Sequence, residues 1–149
     1  RLGGLRHTMP MTSALAVIAS LAMAGIPLLN GFLSKEMFYT EALEVGGEGW
    51  WRLGISIAAL LYGIFGVAYS LRFVMETFFG EAEGPLPRAP HEPPRWMKIP
   101  VEVLVLLCVA VGMFPALTVA PVLHAAAGSI LGAAMPEYSL AIWHGVNTP

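Results

Sequence analysis

The chain has 149 residues, is 56% hydrophobic before glycine is counted, and is charged at only 12% of positions, with a formal net charge of −2. Soluble domains carry about 25% charged residues, so a soluble fold would lack the polar surface to cover this much apolar side chain, and a membrane protein is the economical reading. The net charge itself says nothing about nucleic acid, but there is no basic stripe, and no nucleic-acid partner is expected. The chain opens with Arg1 rather than methionine and carries no signal peptide with a cleavage site. That is the pattern expected of a piece of a longer polypeptide.

The first predicted helix runs from about Pro10 to Leu43. Pro10 suits a first-turn position, where its missing N–H is no loss. Apolar residues cover all faces from Met11 to Leu29, so this is no surface helix with one apolar stripe. As one straight helix it would be about 50 Å long, against about 30 Å of hydrocarbon. Pro27 removes a backbone hydrogen bond, and Asn30-Gly31 is a turn dipeptide close behind it. Two half-helices follow, about Pro10–Ile26 and Phe32–Leu43, with a break near residues 27–31.

The second predicted helix runs from about Trp50 to Phe79. Trp50 and Trp51 form an interfacial aromatic anchor. Ala59 with Gly63, and Gly66 with Ser70, give small-xxx-small spacings that admit a close neighbour. Residues 80–98 read as an exposed connection, because Pro85, Pro87, Pro90, Pro93, Pro94 and Pro100 exclude regular helix. The third predicted helix covers about Ile99 to Leu131, with Pro115 kinking it or ending its first part. Cys108 lies within that apolar run and reads as a small buried hydrophobe. As the single cysteine, it rules out a disulfide or cysteine-metal framework. Residues 132–149 form a tail without a pattern of their own. The expected fold class is all-α: a fragment of a polytopic transmembrane bundle with about three spanning helices, the first one broken.

Basic residues set an expected orientation. Arg1 and Arg6 precede the first helix, and Arg72, Arg88, Arg95 and Lys98 cluster around the second connection. That bias places the start and residues 80–98 in the cytoplasm. The acidic connection with Glu41, Glu44 and Glu48 then faces outward.

Lys35 is the leading candidate for chemistry. An ammonium at membrane depth is costly and by default marks an ion pathway. Poor solvation penalises its charged form, which is what a group that takes and releases protons needs. The competing reading is a lysine that snorkels to the interface or is neutralised by Glu36. The two are adjacent, so on a helix they point about 100° apart and do not simply pair. The break at Pro27, Asn30 and Gly31 reads either as a half-helix junction lining a polar cavity or as a kink satisfied by neighbours. Arg72 and Glu76 form either a second relay element or, the favoured reading, an interfacial ion pair. Glu102 falls under the same alternatives. His124 could shuttle protons, as an imidazole changes charge near neutral pH, but a solvated histidine is the favoured reading. His7, His91 and His144 lack metal-ligand spacing. No phosphate loop, GxSxG or nucleophile–base pattern is present, and no organic or metal cofactor is expected.

The residues Gly3-Gly4-Leu5-Arg6-x-x-Met9-Pro10 and Ala24-Gly25-Ile26-Pro27-x-x-Asn30-Gly31-Phe32-x-Ser34-Lys35-Glu36 resemble the proton-pumping antiporter-like subunits. That superfamily includes the L subunit of NADH-quinone oxidoreductase and the large subunits of Mrp-type Na+/H+ antiporters. Ala68-Tyr69-Ser70-Leu71-Arg72 and Phe78-Phe79-Gly80 match its next helix, and Trp143-His144-Gly145-x-Asn147 is similar to the Mrp branch. The resemblance implies a bundle with inverted repeats, each holding a broken helix. It implies that Lys35 is the terminal proton-relay group toward the outside, with Glu36 at the acidic position that follows. Leu28 departs from the pattern, as many members carry a second proline there. The implied work is sodium/proton antiport by a multisubunit complex in the bacterial inner membrane, by a transporter component rather than an enzyme. The implied partners are H+, Na+, the other subunits and the lipid bilayer. Two alternatives stay open: a proton-pumping component of a respiratory complex, and a scaffold that transports nothing.

Overall fold

A computed structural model of the chain describes residues 3–44, 49–81, 84 and 88–132. The tail motif around Trp143 and His144 lies outside the described residues, as does Glu48. Regular structure among the described residues is entirely helical: α1 (Pro10–Ala24), α2 (Asn30–Glu44), α3 (Trp50–Val74, continued by one π-helical turn at Met75–Phe79), α4 (Arg95–Met113), α5 (Pro115–Thr118) and α6 (Ala120–Leu131). The 30 residues of Trp50–Phe79 and the 19 of α4 are long and apolar enough to cross a membrane.

The first segment is broken, and its α1 half alone is too short to span at 15 residues. α1 ends at Gly25, whose φ of 85° is the left-handed conformation that glycine adopts without steric cost. The N–H groups of Gly25 and Ile26 donate back to the carbonyls of Ala22 and Leu21, closing a Schellman cap. Pro27 follows at a position where proline commonly prevents a helix from resuming. Asn30 and Gly31 lie in the first turn of α2 rather than in the loop.

Glycine sets how closely the halves approach. A Cβ on Gly31 would strike the backbone carbonyl of Ala22, so α1 and α2 cross with almost no side chain between them. Gly63 of α3 similarly lies under Tyr39 of α2, where a Cβ would be 3.2 Å from the ring carbon Cζ. α1 and α2 both pack on α3 and α4, while α6 packs mainly on α5. Buried positions are mostly small: Ala22, Ala42, Ala59, Ser13, Ser20 and Ser70. Large apolar side chains point outward, among them Phe65 at 67% exposed and Leu106 at 69%. This inverts a soluble fold and suits membrane helices, whose contacts rely on close backbone approach rather than an oily core.

Two expectations are corrected. The connection was expected to stay non-helical through residue 98, with Pro100 excluding helix, yet α4 begins at Arg95 and contains Pro100. Pro100 gives up the bond to the carbonyl of Trp96. Trp96 is 84% exposed, so that loss falls at the open start of the helix. The third helix, expected over Ile99 to Leu131 with Pro115 kinking it or ending its first part, is not continuous: its first part ends at Met113, just before Pro115. Phe114 precedes Pro115 and leaves the helical region, with φ −130° and ψ 58°. Pro115 and Pro121 then open α5 and α6 from first-turn positions.

One end of the bundle is fastened by groups distant in sequence. The N–H of Arg6 donates to the carbonyl of Phe78, and its guanidinium lies 5.0 Å from the Phe79 ring centroid. Glu92, before α4, accepts from the N–H groups of Met11 (2.7 Å) and Thr12 (3.1 Å) and from the Thr12 hydroxyl (3.0 Å). It also pairs with Lys98 at 3.7 Å. A carboxylate thus satisfies the free donors at the positive end of α1.

Candidate functional site at the helix break

Lys35 sits on the second turn of α2 and reaches back across the break. Its Nζ donates to the carbonyl of Ala24 at 3.1 Å. Ala24 is the last helical residue of α1, so its carbonyl belongs to the negative end of that helix. The ammonium meets a favourable partial charge there without a carboxylate.

Three further groups shape the position. The Tyr62 ring of α3 lies 5.7 Å from Nζ, within reach of a cation–π interaction. Gly25 and Gly66 form a slot: a Cβ on Gly25 would be 2.8 Å from Lys35 Cδ, and one on Gly66 would be 3.3 Å from Nζ. Any larger residue at either place would displace the chain. The half-buried Lys35 lines a cavity of about 890 Å³ between α2 and α3. Its walls include Ala24, Gly25, Glu36, Tyr39, Ala59 and Gly63. Glu36 and Tyr39 of α2 line the cavity with Lys35, and Tyr62 of α3 meets its Nζ; α1 contains no titratable side chain, and Cys108 of α4 meets Asn30 at the break.

The structure brings Lys35 and Glu36 to one cavity with Ala24 and Gly25 at the end of α1, while Pro27, Asn30 and Gly31 lie outside its lining, Gly31 against Ala22 and Asn30 against Cys108. It places Arg72 and Glu76 elsewhere, as an ion pair of 2.7 Å at the far end of α3 with side chains 75% and 63% exposed. His124 is exposed on α6, away from the cavity lining, and Glu102 is half-buried on α4. No group of metal-ligating side chains occurs among the described residues.

Sequence reasoning missed Gly25, Tyr62, Gly66 and the Ala24 carbonyl as members of the site. Gly25 carried a usable signal, a glycine two residues before a proline at the end of an apolar run. Tyr62 carried none, because its approach to Lys35 depends on how α3 packs.

The described residues thus define a membrane-type helix bundle whose broken first segment holds a lysine against the carbonyl end of its own half-helix. Residues 1–67 match the family described as NADH:quinone oxidoreductase/Mrp antiporter, TM. Over all of its 149 residues the chain is 54% identical to the A/B subunit of a probable K(+)/H(+) antiporter of Rhizobium meliloti (strain 1021), covering 15% of that protein. It is 36% identical over 153 residues to the A1 subunit of a Na(+)/H(+) antiporter of Staphylococcus haemolyticus (strain JCSC1435), with 99% of this chain and 19% of that protein aligned. It is 33% identical over 159 residues to the A subunit of a Na(+)/H(+) antiporter of Bacillus subtilis (strain 168), with 99% and 20% aligned. The chain belongs to the antiporter-like membrane subunits, in the branch of the Mrp-type A subunits. It spans about a fifth or less of the length of the curated relatives it matches.

Proposed function

We propose that this chain is the part of an Mrp-type antiporter in which Lys35 passes protons through the broken helix, in a complex that exchanges them for a monovalent cation. The observation that carries the reading is the hydrogen bond from Lys35 Nζ to the Ala24 carbonyl, at the rim of a cavity between α2 and α3. Nζ thus faces the carbonyl end of α1 and the Tyr62 ring within walls that are otherwise mostly apolar. A fixed carboxylate partner would hold the charge permanently, and Lys35 has none within salt-bridge distance among the described residues. The break supplies the acceptor: a continuous helix would commit the Ala24 carbonyl to its own ladder.

The cation is sodium or potassium, since relatives are named as subunits of Na(+)/H(+) and K(+)/H(+) antiporters. By the family resemblance the other relay residues belong upstream of this segment, and the other subunits complete the complex. By the charge bias of the sequence, the start and the 80–98 connection face the cytoplasm.

The test is the pH change on adding sodium or potassium to inverted vesicles that contain the full complex, parent against Lys35→Ala at equal assembly. A cation-driven pH change in the parent that disappears in the variant is expected. A change that survives in the variant reduces Lys35 to a structural charge. No response to either cation, even in the parent, favours the respiratory-complex reading.

A further inference from the structure

Asn30 opens α2, and it is held from α4. Cys108 donates its thiol proton to Asn30 Oδ1, with Sγ 2.8 Å away. One turn along α4, the buried Gly112 lies against the break itself. A Cβ built there would lie 2.5 Å from both the Cα and the carbonyl carbon of Leu29 and would strike the Leu28 carbonyl oxygen. Residues 108 and 112 share a helix face because they are four apart. One face of α4 therefore touches both the loop and the first residue of the half-helix that bears Lys35.

The loop needs such support. Leu28 has φ 76°, a left-handed conformation that a leucine keeps only where its surroundings impose it. Its side chain is 58% exposed, so packing of that side chain is not what imposes it. The backbone contact with Gly112 is available to do so. Lys35 lies on the same continuous helix as Asn30, and its acceptor Ala24 lies on the other side of the loop. The distance from Nζ to that carbonyl therefore depends on the loop's shape.

We propose that α4 is the positioning element of the lysine site, with Cys108 and Gly112 as positioning residues that fix the break and thereby register the Lys35 ammonium on the carbonyl end of α1. Cys108 and Gly112 are absent from the cavity lining, so their influence on proton exchange passes through Asn30, Leu28 and Leu29. This inference rests on the proposed role of Lys35.

The experiment measures cation-driven proton flux against pH in inverted vesicles holding the full complex, for the parent, Cys108→Ala, Cys108→Ser and Gly112→Ala. The Cys108→Ala midpoint is expected to move by at least about 0.5 pH unit, since losing the anchor changes how the ammonium is held. Cys108→Ser keeps a donor for Asn30 and should stay near the parent. Gly112→Ala should move the midpoint in the same sense as Cys108→Ala. If Gly112→Ala does not assemble, the two cysteine variants decide the matter alone, being close in volume to the parent. A uniform fall in flux with an unmoved midpoint in Cys108→Ala overturns the proposal, as does a serine variant that behaves like the alanine one. A parent with no cation-driven flux overturns the antiporter reading beneath it, whereas Lys35-dependent flux with an unmoved Cys108→Ala midpoint overturns the positioning role alone.

Discussion

Gly31→Ala is the most informative single methyl group to add. Gly31 lies inside α2, where alanine is favoured over glycine by about 1 kcal/mol. On propensity alone the change would stabilise. Space decides otherwise, because the new Cβ would fall on the backbone carbonyl of Ala22, with the carbonyl carbon 2.8 Å away. A backbone carbonyl on a packed helix cannot rotate aside as a side chain can, so the two half-helices must part. Overpacking of this kind costs about 1–3 kcal/mol, and a backbone neighbour puts the cost at or beyond the upper end. The net expectation is a loss of about 2 kcal/mol, roughly thirtyfold in the equilibrium between closed and opened crossings. Gly54→Ala is the control, since a Cβ there meets nothing within 4 Å. The assay is heat inactivation of the detergent-solubilised complex, followed by size-exclusion chromatography. Gly31→Ala should lose intact complex at a lower temperature than the parent, while Gly54→Ala equals or exceeds it. Equal stability of Gly31→Ala and Gly54→Ala would refute the close crossing.

Other perturbations address other contacts. Burial raises the Glu92 carboxyl, but hydrogen bonds from the Thr12 N–H and hydroxyl and the Met11 N–H, with the charge of Lys98, outweigh it and hold the group below its ordinary 4.5. A carboxyl lowered on folding contributes stability that is complete above its unfolded value and is lost as pH falls through the folded one. The parent should therefore outlast Glu92→Gln in thermal stability at pH 6, with the advantage closing below about pH 4.5; an advantage that grows toward acid would contradict the clasp. Leu28→Gly should stabilise by up to about 1 kcal/mol, because relief of the left-handed strain outweighs the added chain entropy; a loss of similar size in the same heat assay would mean that the leucine side chain is needed. Tyr62→Leu should shift the pH profile of flux and Tyr62→Phe should preserve it, since the ring face rather than the hydroxyl meets Lys35; matching profiles for the two variants would exclude the cation–π contact.

The broken first helix was legible because its length exceeds the hydrocarbon and because proline has a strong local effect. The agent that ends α1 was harder to see. Pro27 draws the eye, yet Gly25 has already closed the helix two residues earlier, and Asn30-Gly31 is helical rather than a turn. Gly31 is small for a crossing, not for a bend, and only packing shows which. Pro100 was misread for a related reason: a proline near the open start of a helix costs less than one in its middle. The candidate lysine stood out through the cost of charge at depth. Its surroundings did not, because Tyr62, Gly66, Cys108 and the Glu92 clasp come from elements far away in sequence. Such juxtapositions follow from how helices pack, and no local pattern encodes them.

The most direct test of the central claim is cation-driven proton flux through the full complex with Lys35→Arg. Arginine keeps the positive charge and can still donate to the Ala24 carbonyl, but it does not give up its proton in a protein. If Lys35 carries protons, the variant assembles normally and flux is abolished. Normal flux with arginine in place would contradict the relay and leave Lys35 as a fixed charge that holds the break together.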